Sequence, residues 1–130
     1  MSFAKDLNAF NAKFKDKTDD FITGVEIAIS NEVIERTPVD TGRARANWFP
    51  SVNRPSLSKT EQQDKGGAKA KRRVFSLARP KKGRKYYLVN NLPYIEVLEY
   101  GSSKQAPSGM VRITVARFKK IINEQLRRVK

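Results

Sequence analysis

The chain has 130 residues, with 27 Lys and Arg against 13 Asp and Glu, a formal net charge of +14, and neither Cys nor His. That length fits one domain over residues 1–130, and the two missing residue types remove disulfides, thiolate nucleophiles, imidazole bases and the usual zinc ligand sets, so no cofactor is expected. The longest uncharged run is the ten residues from Tyr86 to Ile95, too short to span a bilayer, and Lys5 and Asp6 interrupt the start, so neither a membrane segment nor a signal peptide is expected.

In chain order, Phe3, Leu7, Phe10, Phe14, Phe21, Val25, Ile29 and Val33 recur at three- and four-residue steps, with Thr18 filling the gap. This spacing predicts one long amphipathic helix. Pro38 should end it near Arg36 or Thr37, because a residue before proline is pushed out of the helical region. Gly24 is a weak point where the helix bends or another backbone comes close. Thr37, Pro38, Asp40, Thr41 and Gly42 have the parts of a structural turn: Pro38 stops the helix, Asp40 offers an acceptor to backbone N–H groups, and Gly42 permits a positive φ. Arg45 to Val52 reads as a strand carrying Trp48, Phe49 and Val52, with Pro50 marking an edge or an early end.

Residues 53–85 read as a flexible basic excursion out of the domain. From Asn53 to Ala70 the only large aliphatic residue is Leu57, which offers little to a core. Lys85 to Asn90 is the better strand, with Tyr86, Tyr87, Leu88 and Val89 in one short run. After Pro93, Tyr94 to Tyr100 suits a two-turn helix closed by Gly101. A second long helix follows, N-capped by Ser108, with Val111, Val115, Phe118, Ile122, Leu126 and Val129 on its apolar face. The expected fold is α+β, two long helices packed on a small antiparallel sheet with the basic excursion between its strands. So small a sheet invites completion by a neighbour's strand.

The charge is uneven. Residues 41–90 hold 14 basic and 2 acidic side chains, and nine of the basic ones are Lys69, Lys71, Arg72, Arg73, Arg79, Lys81, Lys82, Arg84 and Lys85. Such a run is either a solvated loop or a contact for DNA or an acidic protein.

Three short patterns carry a chemical suggestion. Asp40-Thr41-Gly42 is the nucleophile triplet of aspartic proteases, but that chemistry needs a second carboxylate on a duplicated lobe, and here the triplet follows a helix in a basic neighbourhood. Glu96 and Glu99, three apart, are a possible carboxylate pair for a metal-dependent nuclease; with no third ligand nearby a solvated face or a salt bridge accounts for them better. Pro107-Ser108-Gly109 precedes a helix, whose N-terminus is a place for a phosphate, yet the spacing of a nucleotide loop is absent and a plain cap suffices.

Thr37 to Trp48 (TPVDTGRARANW), Asn90 to Gly101 (NNLPYIEVLEYG) and Ala106 to Arg112 (APSGMVR), in this order and spacing, resemble the tail-completion or neck-protein family of tailed bacteriophages, small proteins also described as minor tail components. Ala44 stands where a larger aliphatic residue is usual in that family, and Ile95 where a small one is common. The resemblance implies a non-enzymatic subunit of a ring, a hexamer of itself, that completes the tail and joins it to the head. It implies neighbouring tail-terminator, tail-tube or connector proteins as partners, with phage DNA in the channel, and a place in the virion after assembly in the host cytoplasm. Family motif and packing residues carried over are Trp48, Asn90, Pro93, Tyr94, Glu99, Tyr100, Gly101, Pro107, Gly109 and Met110. The alternative function is a free-standing, sequence-independent nucleic-acid-binding protein, for which the net charge alone supplies affinity.

Overall fold

The computed structural model describes residues 3–78, 84–100, 105–106 and 108–129, with side chains from residue 17 onward. It is a mixed fold of helices around a two-stranded antiparallel sheet, as expected. Helix α1 (Phe3–Arg36) is the long first helix and ends where Pro38 requires. Its last turn is closed by Thr37, whose N–H donates to Ile34 O and whose Oγ1 donates to Val33 O at 2.7 Å. Arg45 finishes the cap, donating to Glu35 O and Thr37 O at 2.7 and 2.9 Å, which places a cation at the negative end of the helix dipole. Gly24 is a point of close approach, but by a side chain: a Cβ there would lie 2.5 Å from Gln125 Oε1.

Gly42 adopts φ 88°, as the turn requires. The acceptor in this turn is Thr41 Oγ1, which takes the N–H of Arg43, and not Asp40, whose exposed carboxylate accepts no hydrogen bond among the described residues. The strand expected from Arg45 starts later. Gly42 O accepts the N–H of Ala46, so a turn of helix, α2 (Arg43–Ala46), forms first and buries Ala44 and Ala46. Strand β1 (Trp48–Val52) then pairs with β2 (Tyr86–Asn90), Pro50 opposite Leu88.

The excursion is corrected over residues 68–77. They form helix α3 (Ala68–Leu77), which packs on β1 and α1 and puts Ala70 and Val74 into the core with Val33, Ile34, Trp48, Ala106 and Met110. Its N-terminus is closed from outside the helix by Asp64, whose Oδ2 accepts the N–H of Lys69 and Ala70. One face of small residues is enough to seat a helix whose other positions are basic. The outer edge of β1 is thereby blunted, because Pro50 has no N–H and Arg73 of α3 donates to Trp48 O at 2.7 Å.

After α4 (Ile95–Glu99), the expected second long helix is broken in two, α5 (Val111–Ala116) and α6 (Phe118–Arg128), at Arg117. Arg117 leaves helical geometry while its Nε donates to Glu32 Oε1 of α1 at 2.7 Å. The expected apolar face is also corrected. Thr114, Ile121 and Gln125 are buried, whereas Val111, Val115, Phe118 and Leu126 are exposed, Val115 by 64%. Ser108 is not the cap: it is exposed, and α5 begins after Met110.

Candidate interaction surfaces

Among the described residues, three places are candidates for function: a hydrogen-bonded hub at the end of α1, a basic cavity on α3, and an apolar trough beside β2.

The hub joins the three motif segments. Trp48 is buried and its Nε1 donates to Thr37 Oγ1 at 2.8 Å, so the hydroxyl that caps α1 also fixes the only indole. Asn90 Nδ2 donates to Ala44 O at 2.9 Å, tying the second segment to the first. Gln105 clasps Val39 from both sides, accepting its N–H at 2.8 Å and donating to its carbonyl at 3.1 Å.

Glu99 joins the second segment to the third. Its Oε1 accepts the N–H of Met110 and Val111, and its Oε2 accepts the N–H and Nε of Arg112. Burial pushes the Glu99 carboxyl up, but the N–H groups of Val111, Arg112 and Met110 with the Arg112 guanidinium outweigh it and hold the pKa below the ordinary carboxylate value. The place where a phosphate was weighed is thus filled by a carboxylate of this chain. Gly109, at φ 81°, lets the backbone pass over it, for a Cβ there would meet Glu99 backbone oxygen at 2.5 Å. Of the other motif residues, Met110 is fully buried, Pro93, Tyr94 and Tyr100 are exposed, and Gly101 and Pro107 lie outside the described residues. Tyr94 is therefore not the packing residue it was expected to be. Tyr100 carries the Arg112 guanidinium 5.0 Å from its ring centre.

The nine basic residues separate. Arg73 donates to Trp48 O and Ala46 O and lies 4.0 Å from the centre of the Phe49 ring, with burial lowering its pKa. Arg84 is buried against Glu26 at 2.5 Å, and burial raises the Glu26 carboxyl despite that partner. Lys71 reaches Glu35 at 2.6 Å. Lys69, Arg72 and Lys85 are exposed, while Arg79, Lys81 and Lys82 lie outside the described residues. Lys69, Arg72 and Arg73 come together on one side of α3 around an open cavity of about 520 Å³, with Phe49, Gln62 and Ser76 among its walls. This is the one part of the basic run that the fold gathers among the described residues.

The trough is apolar and runs along β2. Two cavities of about 340 Å³ each share Trp48, Leu88 and Val111; the first is bounded by Val25, Ile29 and Val33 of α1, and the second continues past Asn90 to Ile95 and Glu99.

Arg45, Asp64 and Gln105 hold this arrangement and are not among the motif residues singled out from the sequence. Asp64 had a signal: an acid followed by Gly66, Gly67 and a run of helix formers is a helix start. Arg45 and Gln105 act across 10 and 66 residues and had none. Glu96 is exposed and makes no pair with Glu99; among the described residues no group of three or more acidic side chains is placed to hold a metal ion. No described helix is long and apolar enough to cross a membrane. No family model, no curated protein and no solved structure matches the chain.

Proposed function

We propose that the chain is a structural subunit of a ring in the neck or at the top of the tail of a tailed bacteriophage, acting in tail completion and head–tail joining without a catalytic step. The observation that carries this reading is the convergence of the three motif segments on one hub. Residues 37–48, 90–101 and 106–112 are far apart in the chain, and their described residues spend polar groups on each other through Trp48, Asn90 and Glu99. Motif residues consumed in holding a shape are those of a scaffold. In this reading the partners are copies of the chain in a sixfold ring and the neighbouring tail-terminator, tail-tube or connector proteins. Assembly takes place in the host cytoplasm and the finished subunit resides in the virion.

A second reading has its own observation. Lys69 and Arg72 stand exposed beside the α3 cavity, where a sequence-independent nucleic-acid-binding protein would use them on phosphates. The test is co-sedimentation with purified phage tails that lack this subunit, beside DNA binding at several salt concentrations. Saturable attachment to tails that survives Lys69→Ser with Arg72→Ser supports the ring subunit. Absence of attachment, with DNA affinity that falls steeply with salt and drops in the double variant, supports the second reading instead.

A further inference from the structure

The two borders of the sheet are unlike. That of β1 is closed by Pro50 and by Arg73, which donates to Trp48 O. That of β2 is open. Asn53 N–H donates to Lys85 O at 2.7 Å, so in the antiparallel register residues 85, 87 and 89 turn their backbone groups toward β1. Tyr86, Leu88 and Asn90 turn theirs the other way, and among the described residues nothing pairs with the main chain of these three. All five residues of β2 are partly exposed. A row of unpaired N–H and C=O groups at strand spacing is matched by one kind of ligand, an extended backbone.

The two ends of this row carry opposite charges. Lys85 precedes it, and Glu96 stands past its other end, in one cavity wall with Leu88, Val89 and Asn90. Both residues are exposed, and neither side chain has a hydrogen bond or ion pair among the described residues. Between them Tyr86 to Asn90 is uncharged. The exposed cations Lys69 and Arg72 belong to α3, which packs against β1 on the far side of the sheet. A second copy of so basic a chain therefore approaches β2 without meeting them.

We propose that β2 pairs antiparallel with β2 of a second copy, about a twofold axis at Leu88. Tyr86 of one copy then faces Asn90 of the other, and Leu88 faces Leu88. Each such pair exchanges two hydrogen bonds, which satisfies every outward N–H and C=O of the strand. The antiparallel sense brings the Lys85 end of each strand to the Glu96 end of its partner, whereas the parallel sense would set like charges side by side. Because one edge supplies both halves of this match, the strand that fits it best is its own copy. On the opposite face each Tyr87 comes beside the other copy's Val89, an aromatic side chain against a β-branched one. The contact is isologous. It goes beyond the ring-subunit reading, in which six copies become three pairs joined by a second, different contact.

The test uses the full-length protein and three substitutions, with thermal melting recorded for each variant. Leu88→Pro removes the central outward donor, at a position whose N–H the sheet does not use and opposite Pro50, where a proline is already seated. Lys85→Glu and Glu96→Lys change only exposed side chains at the two ends, so they decide the matter whether or not the proline is tolerated. By light scattering the wild-type chain should be a dimer at high concentration, and Leu88→Pro a monomer under the same conditions. Either charge variant alone should pair about tenfold more weakly at low salt, since attraction becomes repulsion at both ends of the contact. The double variant, and an equimolar mixture of the two single ones, should regain wild-type affinity, because unlike charges again face each other. Amide exchange reads the register directly: Tyr86, Leu88 and Asn90 should slow as the dimer forms, while Tyr87 and Val89, already bonded to β1, should be slow throughout. Wild type that stays monomeric at its highest soluble concentration overturns the proposal. So do dimers in which those three amides exchange as fast as in the monomer, and charge variants that neither weaken pairing nor rescue one another. The outcomes separate the two claims: tails bound by a chain that never pairs would sink the strand pairing and keep the ring reading, and protected dimers with no attachment to tails would do the reverse.

Discussion

Helix α3 and the pair α5–α6 make an instructive contrast. The first, AKAKRRVFSL, has five basic or hydroxyl side chains in ten residues and buries Ala70 and Val74 completely. The second carries Val111, Val115, Phe118 and Leu126 at clean helical spacing and leaves all four exposed. Periodicity identifies a helix, but burial depends on which face the neighbours can reach. Two small residues over Ile34 and Trp48 outweigh a longer apolar row, because the α5–α6 faces carrying Thr114, Ile121 and Gln125 are the buried ones.

The sharpest way to break this contrast is the same substitution in both places. Val74→Asp puts a carboxylate where no water reaches and should cost about 4 kcal/mol or more, enough to unfold most of a marginal domain. Val115→Asp, by the same urea titration, should cost less than about 0.5 kcal/mol. Equal effects would mean that the assignment of inner and outer faces is wrong.

Next in size is Gly42→Val. The residue sits at φ 88° with a Cβ position 2.5 Å from Lys65 N and 2.7 Å from Asp64 N, both backbone atoms that cannot step aside, so a loss of about 3 kcal/mol is expected in the same titration. This ties α2 to the segment that starts α3. Glu99→Ala acts on the other helix of the comparison. It strips the acceptors from the N–H groups of Met110, which precedes α5, and of Val111 and Arg112 within it, and should lower stability by about 2 kcal/mol, with faster amide exchange at these three residues.

The smallest effect is one of pH. Because the folded Glu99 carboxyl lies below the ordinary 4.5, its contribution is full above that value and is lost as pH falls through the folded pKa. The stability gap between wild type and Glu99→Gln should therefore be constant above pH 4.5 and narrow on acidification. Glu26 has the opposite sign. Its raised pKa gives a contribution that is present below 4.5 and lost as pH rises through the folded value, so the Glu26 and Glu99 windows lie on opposite sides of 4.5.

Local rules carried much of the fold. The end of α1 at Arg36, the positive φ at Gly42 and the pairing of two short strands follow from Pro38, from glycine's freedom and from the β-branched and aromatic run at Tyr86 to Val89. The parts that failed depend on partners distant in sequence. α3 was not expected because it buries only Ala70 and Val74 among basic neighbours, and its cap comes from Asp64 outside the helix. The break at Arg117 follows from Glu32 of α1, 85 residues away, and nothing in the run from Val111 to Val129 announces it. At the hub the sequence marked Trp48, Asn90 and Glu99 but not their roles, since Trp48 donates to the Thr37 hydroxyl while Asn90 and Glu99 pair with backbone groups, and only the fold determines where those partners lie.

Pro50 and Arg73 have one further effect, on growth by strand addition. With the outer side of β1 lacking a donor at its centre and covered by α3, a strand can be added only beside β2. Two copies that met edge to edge would form four strands with a blunted border at each end, and a third copy would find nothing to pair with. The sheet is therefore a self-terminating template for strand addition, limited to two copies by one proline and one guanidinium.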